Sequence, residues 1–78
     1  MIGEQIAQAR AGRKESLRVA AKALGVTGAY IHDIEHGRRS LPLKRVPSFC
    51  RHFGLDEERV MAEVLRRYLP PGYEVVKR

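Results

Sequence analysis

His32 and His36 stand four residues apart, and Cys50 and His52 follow further along the chain. On a helix that first spacing brings two imidazoles to one face, as in a two-histidine metal site. Structural zinc sites, however, draw on clustered pairs such as C-x-x-C with later histidines, and one cysteine in the chain does not supply them. Cys50 fits better as a small buried hydrophobe. Ser16, His32 and Asp33 contain the residue types of a nucleophilic triad, but no strained elbow, glycine-rich phosphate loop or pocket-sized core accompanies them. No catalytic residue, metal site or cofactor is therefore expected, and no enzymatic activity.

The chemistry that remains is polyanion binding. Of the fifteen lysines and arginines, nine lie between residues 10 and 45: Arg10, Arg13, Lys14, Arg18, Lys22, Arg38, Arg39, Lys44 and Arg45. Only Glu15, Asp33 and Glu35 oppose them there, so this stretch carries the whole net charge of +6, and charges elsewhere cancel. A basic surplus concentrated on one segment is what a nucleic-acid-binding surface needs.

The segment that must position this charge is Ser16 to Arg39, SLRVAAKALGVTGAYIHDIEHGRR. Leu17, Ala20, Ala21 and Leu24 recur at i, i+3, i+4 and i+7, the stripe of an amphipathic helix begun by Ser16 as N-cap. Gly25 ends it by supplying a left-handed turn, and Thr27 caps a second helix that buries Ile31 and Ile34 and stops at Gly37. A helix of about ten residues is not stable alone and depends on its neighbours.

These residues resemble the helix-turn-helix domain of lambda-type repressors, Cro proteins and Xre-like bacterial regulators. The turn Leu24-Gly25-Val26-Thr27 and the later Ile31-x-x-Ile34-Glu35-x-Gly37-Arg38 fall at that family's spacing, and the likeness extends over roughly residues 2 to 68. The resemblance implies an all-α, five-helix, lambda-repressor-like domain that binds double-stranded DNA as a homodimer on a palindromic operator and regulates transcription as a repressor, Cro-like or controller protein. It also implies base-edge contacts from Thr27, Gly28, Ala29, Tyr30, His32 and Asp33 on the second helix of the pair. Small Gly28 and Ala29 stand where glutamines often sit, so bidentate amide contacts to adenine give way to others. Ala29 or Thr27 can meet a thymine methyl, Asp33 can accept from a cytosine amino group, and Tyr30 can reach base or backbone. Plain solvent exposure is the alternative for His32 and Asp33.

Arg13, Lys14, Ser16, Arg18, Arg38, Arg39, Ser40, Lys44 and Arg45, with Thr27, are the candidates for phosphate contacts, which position the protein without reading sequence. In the resembling family an arginine at Arg10 pairs with the glutamate that ends the recognition helix, here Glu35; an exposed Arg10 is the alternative.

Ile2, Ile6 and Ala9 predict a first helix from residue 2 to about 13, with Gly12 as its stop. Leu43, Val46, Phe49, Cys50 and Phe53 form the apolar face of a fourth helix. Pro47 costs about 3 kcal/mol inside a helix but nothing in its first turn, so that helix starts near 44 to 46 after a tight turn. Gly54 stops it. Asp56, Glu57 and Glu58 open a fifth helix running to about Tyr68, with acidic groups at its positive end.

The domain thus spans 1–69, and 70–78 form a tail behind Pro70-Pro71-Gly72. Val60 and Val64 serve the domain's own core, which leaves Met61, Leu65, Tyr68 and Leu69 for a dimer interface. The tail pairs with its twin or lies over the partner's helix, or else folds back on its own core. A rival reading is an antitoxin-type interaction module that sequesters a protein partner. With no apolar run of about twenty residues and no signal-peptide pattern, a cytoplasmic protein without membrane association is expected.

Overall fold

The computed structural model describes residues 2–67 and Gly72. Five helices follow one another: α1 (Ile2–Gly12), α2 (Leu17–Leu24), α3 (Gly28–Glu35), α4 (Val46–Phe53) and α5 (Glu57–Arg66), with a 3-10 turn over Leu43–Arg45 ahead of α4. Among the described residues there is no strand.

Each helix is bounded by local chemistry. Ser16, Thr27 and Asp56 sit in extended backbone, and their side-chain oxygens accept from the amides of Val19, Tyr30 and Arg59, satisfying one free donor at each N-terminus. Gly25 and Gly54 close α2 and α4 at φ 70° and 69°, in the left-handed region that glycine enters freely. Pro47 lies in the first turn of α4, where its missing N–H costs nothing.

The first helix ends differently from the sequence expectation. Gly12 remains helical, and the left-handed residue is Lys14 at φ 53°. The Lys14 and Glu15 amides donate back to the carbonyls of Ala11 and Arg10, both at 3.0 Å, which is the paired closing pattern of a helix C-terminus. Helix α3 is also shorter than expected, ending at Glu35. The Arg38 amide then donates to the Asp33 carbonyl at 2.8 Å and turns the chain away.

Among the described residues, thirteen apolar side chains form the core: Ile2 and Ile6 of α1, Ala20 and Ala21 of α2, Ile31 and Ile34 of α3, Leu41, then Val46, Phe49, Cys50 and Phe53 of α4 and Val60 and Val64 of α5. Phe49 is wholly buried and meets Phe53 edge-on, ring centroids 6.0 Å apart. Ala20 and Ala21 are the small buried residues of α2, and Gly3 lies against the end of α3 so closely that a methyl there would fall 2.8 Å from the Glu35 carbonyl oxygen and nearer still to that of Ile34.

On α5, Val60 and Val64 are buried as expected, Met61 is half-buried and packs in part against the same core, and Leu65 is half-buried. The expected interface residues Tyr68 and Leu69 and the tail's pairing lie outside the described residues. Val19, on α2, is the one large apolar side chain that is exposed among those described.

Candidate nucleic-acid interface

Helices α2 and α3 present their N-termini side by side. A Cβ built on Gly28 would lie 3.7 Å from the Leu17 Cβ, an ordinary contact, so the start of α3 rests on the start of α2. Burial of Ile31, Ile34 and Glu35 fixes which side of α3 faces inward. The opposite side carries Ala29, His32, Asp33 and His36, spaced i, i+3, i+4 and i+7, as one continuous outward stripe.

The stripe is internally ordered. The rings of His32 and His36 stack at 4.1 Å between centroids. Nδ1 of His36 lies 2.9 Å from the His32 carbonyl oxygen. A carbonyl only accepts, so Nδ1 is the donor in this contact. Asp33 Oδ1 stands 3.7 Å from an Arg38 guanidinium nitrogen and 4.0 Å from His32 Nδ1. Its carboxylate is therefore partly compensated while still at the surface. The sequence presents His36 chiefly as a metal-ligand candidate; its place at i+7 from Ala29 is the signal for membership of this stripe.

Tyr30 departs from the stripe. Its half-buried ring meets Phe49 edge-on at 6.5 Å, and the guanidinium carbons of Arg39 and Arg45 lie 5.1 and 5.4 Å from its centroid. Thr27 and Ser16 spend their side-chain oxygens as caps, with Tyr30 and Val19 amides at 3.1 Å, and stay exposed at the surface.

The basic residues around α3 divide into two groups. Arg18, Arg38, Arg39 and Lys44 are exposed, and Arg45 is half-buried. Exposed Ser40 accepts a hydrogen bond from Arg67. Arg13 and Lys14 belong instead to the turn between α1 and α2, which is fastened to α4. The Arg13 guanidinium donates to the His52 carbonyl, and Glu15 meets His52 Nε2 at 2.9 and 3.1 Å. His52 is thus a partner of Glu15, while Cys50 is buried in the core. Among the described residues no group of three or more histidine, cysteine or carboxylate side chains is placed to hold a metal ion.

Behind the stripe, Arg10 grips the end of α3. Its Nε and one terminal nitrogen donate to the two Glu35 carboxylate oxygens at 2.8 and 3.1 Å, and the other terminal nitrogen donates to the Glu15 carbonyl at 3.0 Å. The hydrogen bond to Glu35 is the main reason the guanidinium pKa is raised; burial opposes it, and the charges of Glu35 and Glu15 reinforce it. In turn, burial raises the Cys50 thiol pKa, with the charges of Glu57 and Asp56 adding to the effect.

Known proteins point the same way. Residues 2–67 match the family described as "Helix-turn-helix domain". Among solved structures, the clp gene regulator ClgR from Corynebacterium glutamicum is similar, with a TM-score of 0.66 and 26% identity over 83% of this chain and 69% of that one. No curated protein matches. Since the family covers nearly all of the described residues, and the α2–turn–α3 unit has the caps, the glycine turn and the ion-paired recognition helix described above, this chain belongs to the helix-turn-helix domain family and is an Xre-like DNA-binding protein.

Proposed function

We propose that the protein regulates transcription by binding duplex DNA as a homodimer at a palindromic operator, as a repressor, Cro-like or controller protein. Helix α3 enters the major groove with Thr27, Gly28, Ala29, His32 and Asp33 toward base edges. Ser16, Arg18, Arg38, Ser40 and Lys44 contact the flanking phosphates. One observation carries this reading: the outward stripe of α3 is polar and small, it is backed by a bonded frame, and the exposed Arg18, Arg38, Arg39 and Lys44 lie in the segments that flank it, within the stretch that carries the whole net charge. Similarity to ClgR, a clp gene regulator, supports the regulatory part of the reading.

A dimer is proposed because two recognition helices about 34 Å apart reach successive major grooves, and a single short helix reads few bases. Met61 and Leu65, with Tyr68 and Leu69 further along the chain, are the proposed contact. Arg13 and Lys14 join the phosphate-binding set only at its edge, since Arg13 is turned toward α4.

Selection of bound sequences from a random duplex pool tests the reading. The expected product is a palindrome with half-sites one helical turn apart; a pool that stays random, or binding that appears only after a second protein is added, would remove it. Sedimentation of Leu65→Glu, expected to be monomeric with its fold intact, tests the interface separately.

A further inference from the structure

Tyr30 is the α3 residue whose side chain the outward stripe leaves aside. Its ring collects two cations from separate segments: Arg39 from the loop after α3, at 5.1 Å, and Arg45 from the 3-10 turn before α4, at 5.4 Å. The edge-on contact with core residue Phe49 fixes the ring itself. Neither guanidinium has a carboxylate partner among the described residues, whereas Arg38 has Asp33 at 3.7 Å and Arg10 has Glu35 at 2.8 Å.

The kind of partner matters. A carboxylate that orients an arginine also cancels its charge and occupies its donors. An aromatic face attracts a cation within about 6 Å through the ring quadrupole, leaving the net charge whole and the N–H groups free for another acceptor. Two guanidiniums gathered on one ring from two segments that follow a recognition helix therefore form a concentrated positive site whose donors no carboxylate among the described residues occupies. Planar N–H forks match the oxygens of a phosphate group.

We propose that Tyr30 is a positioning residue that holds Arg39 and Arg45 together as a clamp for a DNA backbone phosphate beside α3, rather than a reader of base edges. The inference rests on the DNA-binding reading and assigns one phosphate site within it. Ordering two long side chains in advance removes a cost otherwise met on binding.

The test is the salt dependence of affinity for a short duplex, compared among the unmodified protein, Tyr30→Phe, Tyr30→Leu, Arg39→Ala with Arg45→Ala, and that pair combined with Tyr30→Leu. Circular dichroism and thermal melts accompany each variant. Tyr30→Phe keeps the ring and is expected to bind like the unmodified protein. Tyr30→Leu is expected to lose about 5- to 30-fold in affinity, from two exposed cation–ring contacts, with the salt slope unchanged because both charges remain. Removing both arginines should shallow the slope by up to about two units, and adding Tyr30→Leu to that pair should cost nothing more.

Loss in Tyr30→Phe equal to that in Tyr30→Leu, or additive losses in the combined variant, would overturn the clamp. Duplex binding by the unmodified protein with undiminished binding by Tyr30→Leu would overturn it and leave the DNA reading standing. No binding to any duplex by the unmodified protein would reject both. In the unmodified protein the side-chain protons of Arg39 and Arg45 should carry ring-induced NMR shifts that persist in the duplex complex; their relaxation to unshifted values on binding would also reject the clamp, without recourse to a variant.

Discussion

Arg10 and Glu35 form a two-pronged ion pair, 2.8 and 3.1 Å across its two bonds, that joins the last turn of α1 to the last residue of α3. Glu35 is 8% exposed and is the one buried charged residue among those described. Removing its partner leaves a carboxylate without compensation, so Arg10→Met is expected to cost about 3 kcal/mol, the low end for a buried pair because Arg10 is 22% exposed. Glu35→Gln retains an acceptor and should cost less, and replacing both by apolar residues should recover much of the loss. Urea unfolding at neutral pH checks all three. The raised guanidinium pKa stabilises the fold fully below arginine's unfolded value and is lost only as pH climbs through the folded one, so Arg10 should add no pH dependence in the physiological range.

Cys50 gives a pH dependence that can be measured. Its thiol is buried, and its pKa lies above the ordinary 9.0. A folded value raised above the unfolded one contributes stability that is fully present below the unfolded value and declines as pH rises toward the folded value. Urea midpoints should therefore fall between pH 8 and pH 10 by more in the unmodified protein than in Cys50→Ala. Labelling by a thiol reagent at pH 7 should be slow and should keep pace with unfolding.

Gly3 should tolerate no side chain. The atoms a methyl would meet are carbonyl oxygens of α3, and backbone yields less than the end of a flexible side chain. Gly3→Ala is expected to destabilise by about 1–3 kcal/mol despite alanine's better helix propensity. Gly12, with open space around it, is the control: Gly12→Ala should leave the thermal midpoint unchanged or raise it.

Lys14 occupies a left-handed conformation at φ 53°, costing an L-residue about 1–2 kcal/mol. Lys14→Gly should stabilise by up to about 1 kcal/mol after glycine's larger unfolded-state entropy is deducted. A thermal melt reads this directly.

Asp33→Ala separates specificity from affinity. Asp33 faces outward beside Arg38 at 3.7 Å, so removing it takes one negative charge from the proposed DNA face and releases an arginine. Affinity for arbitrary duplex should rise, while the base preferred at one operator position should change. Binding-site selection with both proteins is the measurement.

Much of this architecture is legible from local patterns. Ser16, Thr27 and Asp56 announce helix starts, Gly25 and Gly54 announce stops, and Pro47 limits where α4 can begin, because each acts on its own few residues. What is not legible depends on remote partners. Gly3 reads as an ordinary weak helix residue until the end of α3 is placed beside it. Lys14 carries no mark of a left-handed residue while Gly12 stands nearby as the better candidate. Tyr30 shares the polar character of its neighbours on α3, and only the positions of Phe49, Arg39 and Arg45 remove it from their stripe. Met61 looks surplus on a helical wheel, which does not show that its side chain also packs in part against the core.

The short link between α1 and α2 is held to α4 on both sides of Lys14, through Arg13 to the His52 carbonyl and Glu15 to the His52 ring, and Arg10 binds the Glu15 carbonyl besides. Surface connections of this kind ordinarily accept extra residues at small entropic cost. Here added length would pull one attachment or the other out of register, and with it the start of α2. This link is thus a poor place to insert a tag or to open the chain by circular permutation, even though it is short, polar and on the outside.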